Sequence, residues 1–170
     1  MMIKKIIWTI IFILIAVLLQ STVFSRLAIY IYAVPDLALG ILVFTAYLNG
    51  TMPGQLSGFF SGFLMDFLSA APLGLNALIR TLVGALTGLM KGTFFLDIIF
   101  LPMALSAGAT VLKAIIYFLL HLLFPDAVPS YSLFTLTFWV ELGLNTLLAP
   151  FLFSFLRLFE SLLVIKKENA

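Results

Sequence analysis

The sequence predicts an all-α fold, a compact bundle of about six transmembrane helices with short loops, and three observations carry that prediction. Of the 170 residues, 64% are hydrophobic and 9% charged, with a mean hydropathy of +1.25, whereas soluble domains are about a quarter charged. Too little polar surface remains to cover a water-soluble globule. The apolar residues fall into runs of helical length, and spanning a bilayer takes roughly 17 to 25 residues. Most basic residues flank those runs, as expected for loops at a membrane surface. The absence of cysteine excludes disulfides and thiol chemistry. A net charge of +2, spread along the chain, does not favour a nucleic-acid partner.

Residues 1–170 read as one transmembrane helical domain. The first span, about 6–24, follows Lys4 and Lys5; its length, and the lack of a small-x-small cleavage signal after it, mark a retained helix rather than a signal peptide. Pro35 stops the preceding chain and Asp36 can cap a short second helix, about 36–48, by accepting its free N–H groups. A tight turn over residues 49–52, with Thr51 as cap and Pro53 in the first turn, opens a third helix, about 53–69. Pro72 and Gly74 turn the chain into a fourth, about 75–90, ended by Lys91 and Gly92. A fifth occupies about 98–124. The last apolar stretch, 132 to 165, is too long for one straight crossing, which predicts a kink at Pro150 and a tail, 153–170, at the cytoplasmic interface. With six spans, Lys4, Lys5, Lys91, Lys166 and Lys167 all fall on one side and Arg26 on the other. That places both termini in the cytoplasm.

Ionisable residues inside spans usually pair, face the bundle interior or mark a functional path. Lys113 and Glu141 lie at matching depth on antiparallel neighbours, and Asp66 and Arg80 nearly so, which predicts two buried ion pairs, with a role in ion or proton transfer and pairing with another subunit as the alternatives. An isolated Lys113–Glu141 pair would tolerate exchange of its two charges. Gly54, Gly58 and Gly62 recur four residues apart, as do Gly84 and Gly88. Such ridges let backbones approach closely in lipid, either within the hairpin or against a partner helix.

Other chemistry is weakly supported. The GFFSG segment over residues 58–62 is not the G-x-S-x-G elbow of a serine hydrolase, so Ser61 and the lone His121 read as structural. Asp66 and Asp97 fall on opposite sides and cannot form an aspartic dyad. No residues have metal-ligand or phosphate-loop spacing, so neither a metal nor a cofactor is expected.

Several segments in order, LQST at 19–22, VPDL at 34–37, GFFSGFLMDFLSAAPLGL at 58–75, TLVG at 81–84 and LNTLLAP at 144–150, resemble the bacterial rod shape-determining protein MreD family. The resemblance covers nearly the whole chain; its motif positions here are Pro35, Asp36, Asp66, Pro72, Gly74, Asn145 and Pro150. Ala70 departs from it, standing where the family commonly has glycine. The resemblance implies a non-enzymatic scaffold of the inner membrane, part of the cell-elongation machinery. It would bind the membrane-anchored MreC and, through it, the cytoskeletal MreB, the glycosyltransferase RodA and the elongation transpeptidase, supporting lateral peptidoglycan synthesis and rod cell shape. Partners would be transmembrane helices, lipid, or a second copy of the chain. The alternative reading is a substrate-binding subunit of an energy-coupling-factor vitamin transporter, whose short-looped bundle is similar.

Overall fold

The structure, a computed structural model, describes residues 2–24, 33–69, 71–93, 99–131 and 133–165. Arg26, Ala70, Asp97, Lys166 and Lys167 lie outside the described residues. Among the described residues six helices carry the bundle: α1 (Met2–Leu19), α2 (Leu37–Asn49), α3 (Thr51–Leu68), α4 (Leu75–Leu89), α5 (Phe100–Leu123) and α6 (Leu136–Arg157), followed by a single turn, α7 (Glu160–Leu163). By length and composition, the helical stretches Ile3–Thr22, Phe100–Leu123 and Leu136–Arg157 can cross a membrane, while α2 and α4 are apolar but shorter.

The short helix α2 occupies the centre. It touches α1, α3, α4, α5 and α6, and every residue from Ala38 to Tyr47 is buried. Thirteen residues span about 20 Å at 1.5 Å per residue, well short of a hydrocarbon core about 30 Å thick. Protein, not lipid, therefore surrounds it, and its N-terminus ends inside the molecule. Asp36 caps that end as the sequence predicts, accepting Leu39 N–H at 3.0 Å.

Only Gly50 separates α2 from α3. Its φ of 98° lies where L side chains are strained, which is why a glycine can make the reversal in one residue. Thr51 is the first helical residue, and Gly50, which makes no side-chain bond, holds the capping position expected for Thr51. Helices α3 and α4 then form the most intimate pair in the bundle. A Cβ on Gly54 would lie 2.4 Å from the Gly84 carbonyl oxygen, one on Gly58 2.2 Å from that of Arg80, and one on Gly62 2.2 Å from that of Asn76; Gly84 and Gly88 meet Gly54 and Thr51 in return. The two ridges face each other. They form an internal seam, so the other expectation, an outward groove for a partner at these glycines, is corrected.

The C-terminal expectation also changes. The last long helix is not broken at Pro150 but continues to Arg157, and the Ser154 hydroxyl donates to the Pro150 carbonyl at 2.7 Å. Helical structure lapses at Leu158 and Phe159 instead. The segment beyond residue 153 packs back on the bundle rather than lying wholly at the interface: Phe153, Leu156 and Leu163 are buried, and Phe159 packs its ring on Phe12 of α1. Asn49 pins it, donating to the Leu163 carbonyl at 2.9 Å and accepting Ile165 N–H at 2.7 Å. Lys5 reaches the Ser161 carbonyl, so the start of α1 and residues 160–165 share one end of the bundle.

Leucine at Gly58 must displace backbone, whereas Phe59 is 47% exposed. Gly58→Leu should abolish a monodisperse, folded protein in mild detergent, and Phe59→Leu should change its melting temperature by no more than a few degrees, read by fluorescence-detected size exclusion after heating.

Candidate functional site

A buried polar network lies toward the end of the bundle opposite Lys5, and its centre is Asp36. A carboxylate at 6% exposure needs compensating charge and donors, and three helices supply them. From α4, Arg80 Nη2 donates to both Asp36 oxygens at 2.8 and 2.7 Å while Nη1 donates to Ser61 Oγ of α3 at 2.9 Å. From α5, Lys113 Nζ donates to Asp36 at 3.2 Å and also to Glu141 of α6. Asn145 of α6 accepts the Asp36 backbone N–H at 2.7 Å and donates to Thr110 of α5 at 3.1 Å. In the turn between α5 and α6, the Tyr131 hydroxyl donates to the other Glu141 oxygen at 2.6 Å. Burial pushes the Tyr131 phenol up, and its bond to Glu141 adds to this, so it stays a donor at physiological pH. Two cations meet two carboxylates, and the cluster is charge-balanced.

Of the pairs expected from sequence, the structure brings Lys113 to Glu141 and separates Asp66 from Arg80. Asp66, at the end of α3, is 2% exposed. It accepts from the backbone N–H of Gly74 at 2.9 Å, of Asn76 at 2.9 Å and of Ala77 at 3.2 Å, and from the Asn76 side chain at 3.0 Å. These are the free donors of the first turn of α4, where the helix dipole also favours an anion. Asp66 is thus a capping residue lent by the neighbouring helix, and Gly74, at a φ of 94°, aims its N–H at it. Pro72 contributes its carbonyl to Leu75 N–H at 3.1 Å. With its carboxylate committed, Asp66 leaves Arg80 to Asp36.

Sequence reasoning identified Asp36 as a cap but missed it as the hub, and it missed Ser61 and Tyr131 as partners. The available signal was length: a thirteen-residue helix cannot bring its cap to the membrane surface. Ser61 orients Arg80, and His121 Nδ1 donates to the Val128 carbonyl at 2.7 Å, so the two do not act together. Among the described residues no group of three or more His, Asp or Glu side chains could hold a metal ion.

Among the cavities formed by the described residues, two bear on function. A polar one of about 320 Å³ has Asp36, Arg80, Lys113 and Glu141 in its walls. An apolar groove of about 540 Å³ runs between α4 and α5.

Asp36 and Asn145 belong to the buried network and Asp66, Pro72 and Gly74 to the cap of α4, and all five are motif positions quoted above. The profile of the rod shape-determining protein MreD family matches residues 2–159. The chain belongs to the MreD family. Its role is in rod shape determination, and the all-helical, strongly apolar structure fits a membrane protein of that family. No curated protein and no solved structure is significantly similar to it.

The network sharpens what charge changes in this MreD-family protein should do. Because Lys113 bridges two carboxylates, exchanging it with Glu141 would set a new carboxylate against Asp36. The Lys113→Glu/Glu141→Lys double variant should therefore melt no higher than either single variant, contrary to the isolated-pair expectation. Asp36→Asn removes the charge shared by both cations and should cost about 3–5 kcal/mol. Glu141→Gln, which leaves Lys113 a carboxylate partner, should cost about 1–2 kcal/mol. Unfolding equilibria in mixed detergent would rank them, and equal costs would contradict the hub role of Asp36.

Proposed function

We propose that this protein is a non-enzymatic scaffold of the bacterial cytoplasmic membrane that binds the transmembrane helix of MreC and so couples MreB, RodA and the elongation transpeptidase to lateral peptidoglycan synthesis. What carries the reading, beyond family membership, is the apolar groove between α4 and α5. Leu86, Leu112 and Ile115 wall it, and Ala104, Gly108 and Ala109 lower its floor. The glycines of the α3–α4 seam are each explained by a backbone they touch. Gly108 is not: a Cβ there would meet nothing within 4 Å. Its smallness serves no contact among the described residues, and in lipid a small residue in a groove serves the close approach of another helix. Contact between α4 and α5 is also thin compared with that across the seam. A scaffold role agrees with the charges as well, since Arg80, Lys113, Asp36, Asp66 and Glu141 are all engaged in holding helices together.

Orientation is part of the proposal. Gly50 lies against the Lys91 side chain, so Lys91 shares an end with Lys5 and the segment at residues 160–165. By the positive-inside rule that end is cytoplasmic, which puts the polar cavity toward the outer face.

Gly108→Leu fills the groove without touching the seam. The variant should melt within a few degrees of the parent yet retain at least about tenfold less MreC on gentle-detergent affinity purification, in cells that lose rod shape. Unchanged MreC retention would place docking elsewhere, and co-elution of an ATPase module would favour the transporter alternative. For orientation, a cysteine replacing Lys91 should react with a membrane-impermeant maleimide only after the cell is opened, and one replacing Ser130 before. The reverse pattern would invert the topology.

A further inference from the structure

The polar cavity has a chemistry that the ion-pair network does not exhaust. It lies where the end of α1 meets α4, α5, α6 and the turn at residues 129–131. Its four charged groups cancel, Asp36 and Glu141 against Arg80 and Lys113, each already engaged with another. Two of its wall residues each carry a buried polar atom that is left over. Arg80, only 3% exposed, has an Nε with no partner among the described residues, and the buried Oε1 of Gln20 has none either. One is a donor and the other an acceptor, and burying either unmatched is costly. Gln20 begins a π-helical turn, Gln20–Phe24, a local distortion that often marks functional positions. Tyr117 and Tyr131 add stacked rings, 5.4 Å between centroids, to the same walls.

We propose that this cavity binds a neutral small molecule rich in hydroxyl or amide groups, of hexose size: a sugar or the sugar headgroup of a membrane lipid. The charge balance selects against a net-charged ligand, because an added ion would find no free counter-charge. The leftover pair selects for a group that both accepts and donates, accepting from Arg80 and donating to Gln20. At about 320 Å³ the space far exceeds the roughly 30 Å³ of a single water and accommodates one sugar ring. Aromatic faces favour such a ring over an extended chain. This site is separate from the α4–α5 groove and does not depend on the MreC reading.

The test uses the purified full-length protein and three sugars of similar size and different charge: N-acetylglucosamine, glucosamine and glucuronate. N-acetylglucosamine should raise the melting temperature saturably, and the cationic and anionic sugars should bind at least about tenfold more weakly. Gln20→Leu removes the acceptor without touching any ion pair. It should leave the ligand-free melting temperature unchanged or slightly raised, because it removes a buried unmatched acceptor, and weaken N-acetylglucosamine binding about fivefold. To separate the sources, the protein is placed in phosphatidylglycerol nanodiscs with and without monoglucosyl diacylglycerol. Stabilisation by the glycolipid that also blocks the free sugar identifies a headgroup, and free-sugar binding that persists identifies a soluble ligand. No saturable effect of N-acetylglucosamine, meaning the cavity holds water alone, overturns the proposal. So does equal binding of the three sugars, and that result needs no variant to fold.

Discussion

The arrangement depends on a carboxylate buried inside the protein. A helix of thirteen residues at the centre of the bundle strands its capping residue, Asp36, inside the protein. A single buried charge costs several kcal/mol even after relaxation, and the surrounding helices are set by the need to answer it. Arg80 must come from α4 and Lys113 from α5, and each then needs its own second partner, Ser61 and Glu141. The helices around α2 are thus tied by polar bonds of fixed geometry. In lipid, where apolar surface gives no preference for one helix over another, such bonds supply specificity that hydrophobic burial supplies in water.

Glycine divides the bundle in a complementary way. Across the α3–α4 seam each of the glycines at 54, 58, 62, 84 and 88 is matched to a backbone opposite it. Between α4 and α5 the packing is thin and Gly108 faces open space. Helix α4 therefore carries both a fixed face and an available one. The cap that Asp66 provides from α3 holds the start of α4 in register, so the available face is presented by a rigid mount rather than a loose helix.

Much of this was legible in the sequence, for reasons that differ by residue. Composition and run length are enough for a helical membrane protein because the bilayer permits few alternatives. The four-residue glycine spacing marked a close-packing ridge without choosing between a seam and a partner groove, and matching depth brought Lys113 to Glu141 because a short connection fixes it. The same rule misassigned Asp66 and Arg80. It compares depth along two neighbours and cannot see a third helix, and Asp36 is far from Arg80 in sequence. It also treats a carboxylate as a charge to be paired, whereas four N–H groups at a helix start satisfied Asp66. At the C-terminus, a proline inside an apolar run suggested a kink, and the helix runs on through Pro150 to Arg157 with Phe153 and Leu156 buried against neighbours.

The order of partners along the chain bears on how the protein is built. When α4 leaves the ribosome, everything Arg80 needs, Asp36 and Ser61, has already been made, and the donors that Asp66 needs follow it within eleven residues. The first four helices therefore close their own electrostatic account before the fifth is synthesised. Lys113 and Glu141 arrive later on one hairpin and neutralise each other on the way in. The membrane is thus asked to admit this molecule in two instalments, each joined by its own internal bonds, and the shared contact of Lys113 with Asp36 is the stitch that joins them.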